Sequence, residues 1–189
     1  MARPLSADKR QLILQAAIKL FAEEGLTAPT ARIAKAAGVA EGTVFTYFIN
    51  KDELLNQLYL DLKSQLRDAL APPPASVDLR EQVWLAWQTY VNWGVTHPEA
   101  HQVLAKLSLS TRISAATRAE GQRAFCDVSD LLEQAKVMGA LRLQSLDFVG
   151  ALMGAMGDVT MNIIRTNPTL ADTTCRDGFV AFWNAITGT

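Results

Sequence analysis

The 189-residue sequence lacks the features that mark secreted or membrane-spanning proteins. It has two cysteines, Cys126 and Cys175, with neither a close partner nor a C-x-x-C spacing, which favours buried packing over redox sensing. Residues 1–10 are charged and lack the apolar stretch of a secretion signal. The longest uncharged stretch, residues 82–98, contains polar side chains and is too short to span a membrane. We therefore predict a cytoplasmic protein that does not associate with membranes.

Catalytic and metal-binding patterns are also missing. The sequence shows no combination of nucleophile, base and orienting group, and no phosphate-binding loop. His97 and His101 are four residues apart, but Pro98 is predicted to start a helix and to leave His97 outside it. The pattern also differs from the H-E-x-x-H of zinc hydrolases. We predict no enzyme activity, no metal and no cofactor.

The net charge of −1 conceals an uneven distribution. Residues 1–51 hold seven basic and four acidic side chains, whereas residues 52–189 hold the other 11 basic and 15 acidic ones. A mildly basic first segment is compatible with contact to a phosphate backbone, although such an imbalance also arises by chance.

Apolar residues recur at helical spacing along almost the whole chain, which predicts an all-α protein. The pattern predicts four helices first, over residues 7–24, 29–38, 41–48 and from 50 or 51 to the prolines Pro72, Pro73 and Pro74. Five longer helices follow, over residues 78–96, 98–109, 114–137, 146–165 and 170–186. We expect two domains, the first over residues 1–50 and the second, also helical, over residues 51–189.

Residues 30–48, TARIAKAAGVAEGTVFTYF, carry the clearest functional signal. Gly38 follows the second helix where a left-handed turn is easiest for glycine. At about 100° per residue, Val44 and Phe48 point inward, Phe45 lies at the edge of that side, and Gly42, Thr43 and Thr46 lie opposite. A helix with small and hydroxyl-bearing residues on its outer side can approach the bases in the major groove of DNA closely.

Lys51 is a cation in the first turn of a helix, where it opposes the helix dipole. A contact to a DNA phosphate would explain this position, and a solvated lysine beside Asp52 and Glu53 is the alternative. Asn50 and Glu53 resemble a capping box that starts the helix.

The stretch from Ala16 to Leu55 resembles the DNA-binding region of the TetR (tetracycline-repressor) family. The resemblance rests on the following residues: Ala16, Ala17, Leu20, Phe21, Gly25, Ile33, Ala34, Ala37, Gly38, Val39, Gly42, Thr43, Tyr47, Phe48, Lys51, Glu53, Leu54 and Leu55. Two positions differ, because the family often has Ser at position 40 and usually Tyr at position 45. We accordingly assign Ala40 and Phe45 structural roles, with Phe45 in packing.

The resemblance implies a repressor-like homodimer that binds a double-stranded DNA operator and releases it when a small molecule binds. It implies phosphate contacts for Thr30, Arg32, Tyr47 and Lys51, and a groove-facing side formed by Gly42, Thr43 and Thr46. Glu41 occupies a base-reading position in some members, where it could accept a hydrogen bond from cytosine. A transcriptional activator, a regulator controlled by a protein partner, and a helical enzyme or carrier remain as alternatives.

Large apolar side chains in the second domain are candidates for an effector site. Trp84, Trp87, Tyr90 and Trp93 recur at three-residue intervals on one helix, a pattern that is also typical of a core. Together with side chains elsewhere in the domain, they could line a mainly apolar cavity. The further candidates are Phe125, Met153, Met156 and Met161.

The helix over residues 146–165 is apolar around nearly its whole circumference and carries Gly150, Gly154 and Gly157. Small residues let two helix backbones approach each other, so we expect a dimer interface here, with close packing inside one subunit as the alternative. We expect the last helix to contribute Phe179, Phe182 and Trp183.

Overall fold

The computed structural model describes residues 7–70, 76–137 and 139–188, and all regular secondary structure within these ranges is helical. The all-α prediction is thus confirmed. The helices are α1 (Ala7–Glu24), α2 (Thr30–Ala36), α3 (Glu41–Tyr47), α4 (Lys51–Ala69), α5 (Leu79–Thr96), α6 (Pro98–Ser108), α7 (Ala115–Arg123), α8 (Cys126–Lys136), α9 (Leu146–Thr166) and α10 (Ala171–Thr187). A 3₁₀ turn, Pro168–Leu170, precedes α10. No helix of the described ranges is long and apolar enough to cross a membrane.

Most predicted helices agree with the structure to within two residues at each end, and the segment 114–137 is the main exception. It forms two helices, α7 and α8, separated at Ala124 and Phe125. The two helices pack on different cores, because Gly121 of α7 lies against Tyr59 whereas Leu131 and Leu132 of α8 belong to another apolar cluster. The three prolines that were predicted to end α4 lie outside the described residues.

The helices form two compact units. The first contains α1 to α3, most of α4, α6 and α7. Its core contains fully buried side chains from α1, α2, α4 and α6, among them Ile13, Phe21, Ile33, Leu58 and Leu107. Lys106 of α6 donates hydrogen bonds from its Nζ to the carbonyl oxygens of Phe21 and Ala22, at 3.1 and 3.2 Å, and so satisfies the end of α1.

The second unit contains the end of α4, α5, α8, α9 and α10. Trp87 of α5 is fully buried in its core and stacks on Phe182 of α10, with 5.5 Å between the ring centroids. The Trp87 Nε1 donates a 3.0 Å hydrogen bond to the carbonyl oxygen of Cys175. Cys175 is buried as predicted, but the same prediction is wrong for Cys126, which is exposed as the first residue of α8, where the expected long helix is interrupted.

Candidate nucleic-acid interface

Helices α2 and α3 are joined by a tight turn over residues 37–40. Gly38 has a φ of +67°, a backbone conformation that glycine adopts without a steric penalty. The Val39 N–H donates a 3.0 Å hydrogen bond to the Ala34 carbonyl and closes the turn. Ile33 and Ala34 are buried on the inner side of α2, so the turn fixes α3 against the core of the first unit.

Helix α3 begins without a side-chain cap. Ala40 has the extended backbone typical of an N-cap residue, with φ −67° and ψ 147°, but its methyl group accepts no hydrogen bond. The Thr43 N–H instead bonds to the Ala40 carbonyl oxygen at 2.9 Å. Packing of Val44, which is almost fully buried, therefore holds this seven-residue helix in place.

The outer side of α3 consists of Glu41, Gly42, Phe45 and Thr46, which are all exposed. Phe45 exposes 44% of its surface, so the assignment of this residue to packing is wrong. Nothing lies within 4 Å of the position that a Cβ of Gly42 would occupy, and the Thr46 hydroxyl donates to the Gly42 carbonyl at 3.0 Å. Thr43 and Tyr47 are half-buried on the flank of the helix.

Thr30 and Arg32 of α2 point toward carboxylates. Thr30 is the first residue of α2, and its hydroxyl lies 3.5 Å from the carboxylate of Glu41 at the start of α3. Arg32 forms an exposed ion pair with Glu24, with 2.6 Å between Nη1 and Oε2. Exposed pairs of this kind contribute about 0–1 kcal/mol, so Arg32 can exchange this partner for another anion at little cost.

Lys51 joins the start of α4 to the loop before α2. Its Nζ donates a 2.6 Å hydrogen bond to the carbonyl oxygen of Ala28 and lies 5.8 Å from the centroid of the Phe21 ring. Burial lowers the pKa of the Lys51 ammonium, the positive charge of Arg112 lowers it further, and the carboxylate of Asp52 acts in the opposite direction. Asn50 caps α4 by accepting a 2.9 Å hydrogen bond from the Glu53 N–H, while the Glu53 carboxylate accepts one from the Ile49 N–H.

The loop between α6 and α7 binds the first turns of α4, an arrangement that the sequence did not indicate. Arg112 forms an ion pair with Asp52. Asn56 donates to the Arg112 carbonyl at 3.0 Å and accepts from the Ser114 N–H at 2.9 Å. These partners are 56 to 60 residues apart and belong to no local motif, so periodicity and spacing could not identify them.

The candidate effector residues all lie on helices α5, α8 and α9 of the second unit or at their ends. Trp87, Trp93 and Met161 are buried. Trp84, Tyr90, Phe125, Met153 and Met156 are half-buried. Trp84 contacts Phe179 edge-on, with 5.2 Å between the ring centroids. The pKa of the Tyr90 phenol is raised mainly by burial and, to a smaller extent, by the negative charge of Asp158.

The residues of α9 and α10 that were predicted to form a dimer interface occupy different environments. Gly157 lies against Tyr90, and Phe179 and Phe182 are buried in the core of their own unit. Trp183 is half-buried beside that core. Gly150 and Gly154 have open space where a Cβ would point.

Comparison with known proteins identifies the relatives of this chain. The family model of the bacterial regulatory proteins of the tetR family matches residues 13–58. The uncharacterised HTH-type transcriptional regulator YhgD of Bacillus subtilis is 34% identical over 98 residues, which cover 49% of this chain and 50% of that protein. The chain spans about half the length, or less, of the curated relatives it matches.

Solved structures share the fold over nearly the whole chain. A putative tetR family transcription regulator from Shewanella sp. PV-4 has a TM-score of 0.82 and 26% identity, and the match covers 94% of this chain and 97% of that one. The regulator FadR from Bacillus subtilis, in complex with stearoyl-CoA, has a TM-score of 0.64 and 18% identity, with 95% and 98% covered. These relatives are transcription regulators, which agrees with the prediction that the chain is not an enzyme. Residues 13–58 therefore form a DNA-binding domain of the tetR family of bacterial regulatory proteins, and the chain as a whole shares its fold with solved regulators of that family.

Proposed function

We propose that this chain is a ligand-responsive repressor that binds a palindromic DNA operator as a homodimer and releases it when a small molecule binds. The observation that carries the proposal is the outer side of α3, which follows a glycine turn and exposes Glu41, Gly42 and Thr46 side by side. A helix held in this way can insert into the major groove of DNA. In this proposal residues 1–50 bind DNA, and residues 51–189 bind the effector and form the dimer.

Phosphate contacts surround α3 in the proposed complex. Thr30, Arg32, Tyr47 and Lys51 would hold the DNA backbone, while Thr43 would reach the groove from the flank of α3. The ammonium of Lys51 has three N–H donors, and the Ala28 carbonyl uses one of them. A phosphate beside Lys51 would favour the charged form, which burial disfavours.

We propose that two copies of the chain pair through one side of α9. Phe148, Val159 and Ile163 expose 48%, 59% and 46% of their surfaces. They are separated by eleven and four residues, so they lie along one side of the helix. Val180 of α10 is also exposed, at 41%. Gly157, Phe179 and Phe182 are not part of this proposed surface, because they already pack inside their own unit.

The effector site is proposed among the half-buried apolar side chains of the second unit. Trp87, Trp93 and Met161 are buried in the core and expose almost no surface. Trp84, Tyr90, Phe125, Met153 and Met156 retain part of their surface for a ligand. The stearoyl-CoA complex of FadR shows that a protein of this fold can hold a small molecule, which supports an effector here without identifying it.

Selection of DNA from a random pool tests the proposal. The purified chain should enrich a palindrome with half-sites about one helical turn apart, or a small multiple of that distance. Thr46→Ala should relax base preference at particular positions, whereas Thr173→Ala, an exposed substitution in α10, should leave the selected site unchanged.

The same selection tests release. Stearoyl-CoA is the first probe, and a panel of apolar metabolites follows, with dissociation of the selected DNA as the measurement. Failure to enrich any sequence would contradict the DNA-binding function. Enrichment of a site that lacks two-fold symmetry would contradict the dimeric arrangement.

A further inference from the structure

The outer side of α3 is centred on Phe45. At about 100° per residue, Phe45 lies between Glu41 and Gly42 around the helix axis, and Thr46 follows Gly42. All four residues are exposed, whereas Val44 is almost fully buried and Thr43 is half-buried. An aromatic ring therefore occupies the middle of the surface that would meet DNA.

The surroundings of Phe45 leave its ring accessible from the side of the groove. Side chains on a helix lean toward its N-terminus, so this ring leans toward the turn formed by Glu41 and Gly42. Gly42 has no Cβ, and nothing lies within 4 Å of the position that one would occupy. The ring thus borders open space on the side where a base pair would approach.

A phenyl ring has neither a hydrogen-bond donor nor an acceptor, so it can recognise only the apolar feature of a base edge. In the major groove that feature is the C5-methyl group of thymine. Thr46 also offers an apolar group on this side, its methyl, and its hydroxyl is already bonded to the Gly42 carbonyl. Of these two side chains, Phe45 offers the larger apolar surface.

We propose that Phe45 is a specificity-determining residue that recognises a thymine methyl group in each half-site of the operator. This inference rests on the proposed function, because it requires α3 to enter the major groove. It adds a base preference that the hydroxyl and carboxylate groups of α3 do not supply.

Ile49 provides a matched control. It is also a large apolar residue and exposes 81% of its surface, but it follows the non-helical residue Phe48, in the turn before α4. Its N–H donates to the Glu53 carboxylate, which holds this turn in the capping arrangement of α4. Replacing Ile49 by alanine removes exposed apolar surface from the same unit without changing the outer side of α3.

The experiment replaces each thymine of the selected operator by uracil, which lacks only the methyl group, and measures binding by the parent, Phe45→Ala and Ile49→Ala. For the parent, uracil at one position of a half-site should weaken binding about fourfold, the effect of losing one buried methyl-sized group. Phe45→Ala should bind the thymine operator about as weakly as the parent binds the uracil one, and it should be insensitive to uracil at that position. Ile49→Ala should retain the full sensitivity of the parent.

Phe45→Gln, which keeps a long but polar side chain, should lose the sensitivity to uracil in the same way. This second variant tests the inference independently if Phe45→Ala does not fold. Helical circular dichroism checks both variants. The inference is overturned if Phe45→Ala keeps the parent's sensitivity to uracil at every position, or if no position is sensitive in the parent. If the selection yields no operator at all, the proposed function itself fails, which is a distinct outcome.

Discussion

The Nζ of Lys51 donates a 2.6 Å hydrogen bond to the carbonyl oxygen of Ala28, so one side chain links the first turn of α4 to the loop that leads into α2. Ala28 is buried, and the Phe21 ring lies beside the ammonium. The cation therefore has a structural contact as well as the phosphate contact that we propose for it.

Lys51→Ala should weaken binding to all DNA sequences by a similar factor, because a phosphate contact carries no base information. The slope of log K against log salt concentration should decrease in magnitude by about 0.9 for each phosphate that the variant no longer neutralises. Fluorescence anisotropy titrations at several salt concentrations measure both quantities. Lys19→Ala, which removes an exposed lysine from α1, is the control for the removal of one positive charge. If the salt slope of Lys51→Ala is unchanged, Lys51 contacts no phosphate and has only the structural role given by its hydrogen bond to Ala28.

Ala40→Ser should stabilise the first unit, because residue 40 has the extended N-cap backbone but no side-chain acceptor. A serine hydroxyl there can accept a hydrogen bond from the N–H of Gly42 or Thr43, and such caps contribute about 1 kcal/mol. Urea denaturation measures the free energy of unfolding. Ala36→Ser, at the exposed end of α2, is the control and should be neutral or slightly destabilising. Equal effects of the two substitutions would contradict a capping role for residue 40.

The helix boundaries of the first unit could be predicted because local chemistry sets them. Gly38 was expected to take a left-handed conformation after α2, and it does so with a φ of +67°. Gly25, which follows α1, has a φ of +82°. The capping arrangement of Asn50 and Glu53 likewise starts α4 where the sequence indicated. Each of these signals involves residues only a few positions apart.

The orientation of α3 could not be predicted in the same way. The prediction treated Val44 and Phe48 as two inward residues of one regular helix, but Phe48 leaves the helix with φ −136° and ψ 112°. Phe48 is buried as predicted, but because it lies outside the helix its direction does not fix the rotation of α3 about its own axis. Val44 alone cannot distinguish its two neighbours, because Thr43 and Phe45 lie about 100° to either side of it around the helix axis. In the structure Phe45 is exposed and Thr43 is half-buried.

Gly157→Ala should destabilise the second unit, because the added Cβ would lie 2.5 Å from Cε1 of the Tyr90 ring. Overpacking of this kind typically costs about 1–3 kcal/mol. Gly150→Ala, on the same helix with open space around its Cβ position, should instead stabilise the protein by up to about 1 kcal/mol through helix propensity. Thermal and urea unfolding compare the two variants. If both variants unfold like the parent, close packing between α9 and Tyr90 does not limit stability.

Val159→Glu should convert the proposed dimer to a monomer, because it places a charge in the middle of the apolar side of α9, between Phe148 and Ile163. A buried unpaired carboxylate opposes association, whereas the same group on an isolated subunit remains in water. Light scattering after size-exclusion chromatography, over a range of concentrations, gives the mass of each species. Leu143→Glu is the control, since residue 143 exposes 87% of its surface between α8 and α9. If the Val159→Glu variant keeps the parent's mass at low concentration, the subunits pair elsewhere. If the variant is a monomer that binds the palindrome only weakly, the result supports pairing through this side of α9.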